Sequence, residues 1–334
     1  MKNLNWRLIW LVLGTLAVIC AVILLAGKSP IEVVERMIRG SLGTPRVRSE
    51  TLKETTPLLI AGLGVFIALR AGLFNIGVEG QLVAGACTTA VIAYRVPGPM
   101  GIGLAIAAAI AVGVLAALLP ALIRIYRGGH EVITTIMLNN IIIQITTALA
   151  NGPLKAAGQD SSYTAKLADS SMLSPIFRSG PFVIHPSLIL GLLMVIGFAV
   201  WMKKSIGGYE LNAVGANRTA AEFAGISSKA VMLRAFLTSG ALAGLAGALI
   251  VLSTEGRFYA GFSPGYGFDA LGVALLAGPT ALGLIPAALG FGLLTVSQSA
   301  LIQIGISKGL TGVLLGCLII VLAAFRYREI KKRG

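Results

Sequence analysis

Glu79 and Asp269 are the two acidic residues set inside long apolar runs of this 334-residue chain. Each sits in a glycine-punctuated stretch, Gly72-Leu73-Phe74-Asn75-Ile76-Gly77-Val78-Glu79-Gly80-Gln81 and Gly265-Tyr266-Gly267-Phe268-Asp269. Carboxylates placed this way can accept hydrogen bonds from a polar solute or carry a proton. A carboxylate facing lipid at a helix centre costs about 2.5–3.5 kcal/mol on insertion scales, so such a group turns toward protein or water. Amides and an aromatic ring extend the polar set: Asn75, Gln81, Asn139 and Asn140 can pair with polar edges, and Phe74 can stack on a flat face. Neither glycine-rich stretch supplies a nucleophile with a base beside it. The chemistry indicated is solute handling, not bond breaking.

The elements around these residues read as membrane spans. The chain is 56% apolar and 12% charged, with a mean hydropathy of +0.88, whereas a soluble domain carries about 25% charged residues. Candidate spans are 6–27, 57–70, 72–94, 100–123, 131–150, 184–202, 234–253, 267–279, 281–304 and 309–325. This is an all-α polytopic membrane protein of about ten transmembrane helices, organised as a single domain over 1–334. Residues 8–27 are too long for a signal-peptide core, and Gly27-Lys28-Ser29 is a poor cleavage site, so the stretch reads as a retained first span. With both termini cytoplasmic, fifteen Lys and Arg face that side against four acids, while twelve cations and seven acids face the other. That is the bias the positive-inside rule requires. The net charge of +14 is scattered over loops without aromatic interleaving, which argues against a nucleic-acid partner. Cys20, Cys87 and Cys317 lack metal-ligand spacing, no metal site is read, and His130 and His185 have no catalytic partner.

On a helix starting near Phe74, Asn75 and Glu79 share a face with Leu82 and Ala86. Gly72, Gly77 and Gly80 permit close packing or non-helical backbone. In the fifth span Asn140, Gln144 and Thr147 form one stripe, and Thr135, Asn139 and Thr146 an adjoining one. A whole polar stripe favours an aqueous lining over interhelical glue. For Ser299 and Gln303 glue is the better reading. The two halves show a weak internal repeat, Gln81–Ala86 against Ala274–Pro279, each preceded by its acid-bearing stretch. Paired interrupted segments of this kind point to a transport pathway.

Three connections carry structure. Residues 28–56 form an external interfacial segment in which Ser29-Pro30-Ile31-Glu32 has the pattern of a capping box with proline at the first helical position. Val34, Met37 and Ile38 share a face up to Gly40. The external loop 151–183, rich in Ser, Gly, Pro and Asp, reads equally as a cap over the outer mouth or a plain connector. The cytoplasmic loop 203–233 contains a helix-competent stretch from Arg218 to Ala224, stopped by Gly225. Ala-Ala-Glu-Phe-Ala holds too few large apolar residues for interfacial anchoring, so this stretch reads as a docking element.

Phe74-Asn75-Ile76-Gly77-Val78-Glu79-Gly80-Gln81, Glu131-Val132-Ile133 with Leu138-Asn139-Asn140, and Gly265-Tyr266-Gly267-Phe268-Asp269 resemble the signatures of bacterial nucleoside ABC-importer permeases. These are relatives of the ribose and branched-chain amino-acid permeases. The resemblance spans about residues 50–325 and departs at Ala277-Gly278-Pro279-Thr280, where an arginine- and asparagine-rich turn is expected. It implies a type II-like importer permease, one of two permease subunits (usually paralogues). Its implied partners are a cytoplasmic ABC ATPase that binds ATP and Mg, and an extracytoplasmic substrate-binding lipoprotein. Phe74, Asn75, Glu79, Gln81, Asn139, Asn140 and Asp269 would border the nucleoside path in the bacterial cytoplasmic membrane. Asn217, Arg218, Ala221, Glu222, Phe223 and Gly225 would form the coupling helix that meets the ATPase. The chain has no Gly-x-x-x-x-Gly-Lys-[Ser/Thr] loop, so it has no cofactor of its own by that route. A permease for a sugar or a related small polar solute, and an ion-coupled secondary transporter using Glu79 or Asp269, stand as alternatives. A membrane enzyme would need a nucleophile, base or metal cluster within the bundle.

Overall fold

The computed structural model describes residues 6–25, 27–158, 160–306 and 316. Twelve helices and one short hairpin follow in chain order among the described residues. α1 (Trp6–Leu25) and α2 (Pro30–Leu42) stand where the sequence placed them. The Ser29 side chain makes no cap bond, however; its carbonyl accepts from Val33 N–H instead (3.0 Å). Met37 turns inward against Ile23, Val33 and Leu301, away from exposed Val34 and Ile38, so these three residues do not form one common surface.

α3 (Pro45–Arg70) starts well before the expected residue 57. Thr44 caps it by accepting from Val47 N–H (3.3 Å), with Pro45 at the first helical position. Residues 46–54, expected within the interfacial segment 28–56, are helical and carry charges from Arg46 to Glu54. In the fold, Lys53 pairs with Glu255 (3.1 Å) and Glu54 accepts from the Tyr266 hydroxyl (2.8 Å). The latter part of segment 28–56 is thus the first half of a helix long and apolar enough to span the membrane.

α4 (Val78–Arg95), α5 (Pro99–Arg127) and α6 (Glu131–Asn151) follow. Beyond them the loop folds back on itself: Thr164 exchanges hydrogen bonds with the Phe258 backbone (2.9 and 3.2 Å). Strands β1 (Phe177–Ser179) and β2 (Phe182–Ile184) then pair antiparallel, with Phe177 opposite Ile184. α7 (Pro186–Lys204), α8 (Ile206–Ala216) and α9 (Arg218–Phe223) come next. α10 (Ser228–Ile250) runs into a π turn at Val251–Glu255. α11 (Tyr266–Ala277) and α12 (Leu284–Gln303) complete the described fold.

Six of these helices are long and apolar enough to cross a membrane: α3, α5, α6, α7, α10 with its π turn, and α12 with the turn before it. Ten such spans are not present among the described residues. α11 has 12 residues, about 18 Å of helix against a hydrocarbon core of about 30 Å, and the span expected at 309–325 lies, apart from residue 316, outside the described residues. The suspected repeat segments occupy different places: Gln81–Ala86 lies inside α4, while Ala274–Pro279 straddles the end of α11.

α10 and α3 are the centre, with 83% and 78% of their apolar windows buried; α5, α6 and α7 are peripheral at 22%, 17% and 22%. The central contacts are made backbone to backbone. A Cβ on Gly244 would lie 2.2 Å from Ala109 O, and one on Gly85 would lie 2.4 Å from Gly244 O. Small residues at such crossings let helices approach closely where lipid offers no hydrophobic driving force.

Candidate functional site

α3 ends in a tight turn in which Gly72 (φ +74°) and Leu73 return their N–H groups to Leu69 O and Ala68 O (both 3.0 Å). The chain then runs without helix to Gly77 before α4 begins. Asn75 therefore precedes α4 and does not share a helical face with Glu79. It is fully buried. Its Nδ2 donates to Gln81 Oε1 and to Ser239 Oγ (both 3.0 Å), and its Oδ1 accepts from Gly77 N (3.0 Å). Asn139 reaches the same break from α6: Nδ2 donates to Ile76 O (2.7 Å) and Oδ1 accepts from Gly80 N (2.9 Å). Gly80 N–H is one of the first-turn donors that a helix leaves without an internal partner. Asn75, Gln81 and Asn139 thus spend their polar atoms on holding the interruption open.

The second glycine-rich stretch docks on the first. Glu79 Oε2 accepts from Gly267 N at 2.6 Å, a charge-assisted bond at the start of α11. Any side chain at Gly267 would collide with Glu79, since a Cβ would stand 2.3 Å from its backbone nitrogen. Ser263 Oγ accepts from Gly265 N (3.2 Å) and Tyr266 N (3.1 Å) at the start of α11. Asp269 is half-buried in the first turn of the same helix, two residues after Gly267. The result is a group of acceptors, Glu54, Glu79 and Asp269, gathered where the two broken segments meet. Phe74 and Phe268 are exposed beside them, at 40% and 50%. Phe74 N also donates to Glu131 (3.4 Å), which is ion-paired with Arg124 (3.1 Å).

The two polar stripes of α6 separate. Thr135, Asn139 and Thr146 are buried against the bundle, whereas Asn140 and Gln144 are exposed and Thr147 half-exposed. Asn140 bonds only its own helix, donating to Ile136 O (3.0 Å). Sequence reading missed Ser239, Glu54 and Tyr266. Ser239 is a lone hydroxyl in a Gly/Ala run, and Glu54 was hidden by the charged register of the helix start.

Beyond α8, whose Gly215 packs on Arg70 at the end of α3, Asn217 caps α9 by accepting from Ala220 N (3.0 Å). Gly225 (φ +82°) and Ile226 close it by returning N–H groups to Glu222 O and Ala221 O (both 3.0 Å). Arg218 bonds Glu222 (3.3 Å) and Ser228 (3.2 Å), and the Ser228 hydroxyl donates to Glu222. The Ser228 hydroxyl, with Arg218 behind it, holds the Glu222 carboxyl below its ordinary range. Ala221 is buried while Phe223 is 90% exposed. α8, which the sequence reading did not separate, packs on the end of α3 and sets α9 against the start of α10, where Ser228 bonds Glu222.

Residues 48–323 match the family described as the permease component of branched-chain amino-acid transport systems. The chain belongs to this permease family. It is 34% identical to the guanosine ABC transporter permease NupP of Bacillus subtilis, the match covering 100% of this chain and 98% of that one. It is 32% identical to the glucose ABC transporter permease TsgB13 of Haloferax volcanii (93% and 85% covered) and 30% identical to the nucleoside ABC transporter permease NupB of Lactococcus lactis (91% and 86%). No solved structure matches. The protein is accordingly a multi-pass membrane permease subunit of an ABC importer.

Proposed function

We propose that this chain forms half of a nucleoside path across the bacterial cytoplasmic membrane, driven by ATP hydrolysis on a separate subunit. The full-length likeness to a guanosine permease carries the substrate class. In this reading the α8–α9 end and both termini are cytoplasmic, α9 seats in the ATPase, a binding lipoprotein delivers substrate to the opposite face, and a paralogous permease completes the path. The interrupted segments would be the moving parts of a weakly repeated architecture. A nucleoside presents ribose hydroxyls, base edges and a flat face. Carboxylates of Glu54, Glu79 and Asp269 suit the hydroxyls, and Phe74 and Phe268 suit the face. With Gly267 seated on it, Glu79 is closed off; withdrawal of α11 would free that acceptor on the inward stroke.

The test is uptake of radiolabelled guanosine into proteoliposomes holding the permease pair, the ATPase and the binding protein. ATP-dependent accumulation of guanosine supports the reading. Accumulation of glucose in its place favours the sugar alternative. Uptake that persists without ATP overturns the ATP-driven mechanism.

A further inference from the structure

Between α7 and α10 a cavity of about 630 Å³ opens over α3, with α8 at one end. That is a ligand-sized space. Its walls are apolar and partly aromatic: Leu63, Met194, Phe198, Trp201, Leu237 and Leu242. Phe198 stacks on Trp201 at 5.3 Å and meets Phe66 edge-on at 6.3 Å, so the aromatic wall is set from beneath. Gly197 lies in the middle of α7 and lines the cavity, yet a Cβ there would meet nothing within 4 Å. Glycine weakens a helix interior, and no close neighbour within this chain accounts for it. The space beside that backbone is open to an occupant from outside the chain.

The rim shows what kind of thing. Arg234 and Glu210 stand at the α8 end of the cavity. Arg234 is exposed and makes no ion pair among the described residues. Thr238, the nearby hydroxyl, is spent on Arg234 O (2.7 Å). Trp201 is followed within one turn by exposed Lys203 and Lys204, which end α7. An interfacial tryptophan with adjacent cations marks the headgroup level of a membrane, and anionic headgroups attract such clusters. Three cations against one acid complement a negative charge, above a groove shaped for hydrocarbon.

We propose that this groove seats an acyl chain of an anionic phospholipid from the leaflet on the α8–α9 side, with its phosphate on Arg234, Lys203 and Lys204. The lipid would touch α8, the element that leads into α9. The test is native mass spectrometry of the assembled complex, titrated with phosphatidylglycerol or phosphatidylcholine. Wild type should retain phosphatidylglycerol preferentially. Arg234→Ala should lower that retention about fivefold, the effect of one cation near a charged surface, and leave phosphatidylcholine unchanged. Gly197→Phe should expel both lipids without lowering the thermal stability of the complex in detergent, and Met194→Trp should do the same from one turn earlier on the same wall. Equal retention of the two lipids by wild type would overturn the proposal. So would phosphatidylglycerol bound undiminished in both filled variants, or a Gly197→Cys thiol that cross-links to the second permease subunit in place of a lipid-borne probe.

Discussion

Replacing Asn139 with leucine keeps the bulk of the side chain and removes its two hydrogen bonds to the break between α3 and α4. Ile76 O and Gly80 N lose the partners they have at 2.7 and 2.9 Å, in a site where Asn139 is 3% exposed. A buried backbone group left without a partner costs about 1–3 kcal/mol, so two of them should cost about 2–4 kcal/mol once partial relaxation is allowed. Membrane-protein bonds that average about 0.6 kcal/mol apiece set the lower bound near 1 kcal/mol. The neighbouring Asn140→Leu is the internal comparison. That side chain is exposed and bonds only Ile136 O on its own helix, so its stability should stay within about 0.5 kcal/mol of wild type. The assay is unfolding of the purified permease in mixed micelles by denaturing detergent, followed by circular dichroism, alongside uptake in proteoliposomes. Asn139→Leu should unfold early, whereas Asn140→Leu should unfold normally and transport less. An Asn139→Leu protein of wild-type stability that fails only in transport would refute the reasoning, because the amide would then serve the solute and not the backbone.

Glu79→Gln should lose about 1 kcal/mol, the difference between a charge-assisted and a neutral bond to Gly267 N, and Glu79→Ala about 2–3 kcal/mol; the same micelle titration orders the three proteins. Gly225→Ala forces a left-handed residue to carry a Cβ, at about 1–2 kcal/mol. Its effect should be read as a higher ratio of ATP hydrolysed to nucleoside moved, with membrane insertion unchanged. Because the folded state holds the Glu222 carboxyl below its ordinary value, the contribution of that group is complete above the unfolded value, about pH 4.3. It is lost as pH falls through the lower folded value. Amide exchange at Ala224–Ile226, corrected for intrinsic rates, should therefore rise on acidification below about pH 4.3, and Glu222→Gln should abolish that rise.

How much of this was legible beforehand differs by residue. The spans rich in Leu, Ile and Val were readable because lipid-facing surface leaves a direct mark in composition; α5, α6 and α7 fall close to their expected limits. The start of α3 was not, since Lys53 and Glu54 look solvated until Glu255 and Tyr266 are brought to them from over two hundred residues away. Gly225 announced the end of α9 because a left-handed turn has a local cause. The division of labour between Asn139 and Asn140 had no local cause at all. Adjacent residues on a helix point about 100° apart, and only the packing of α4 against α6 decides which one meets backbone. The contact between Glu79 and Gly267 joins two motifs that were each conspicuous alone, but no periodicity links residues so far apart in the chain.

The backbone-to-backbone seams of α10 have a mechanical consequence. At the glycine crossings no long side chain stands between α4, α5 and α10, so the trio has few ways to slide and acts as a keel. Any working stroke must be taken up by what is hung from that keel. The short α11 lies outside that trio, seated on it where Gly267 meets Glu79 and on α3 where Tyr266 meets Glu54, so a stroke that moves it must break those two bonds together.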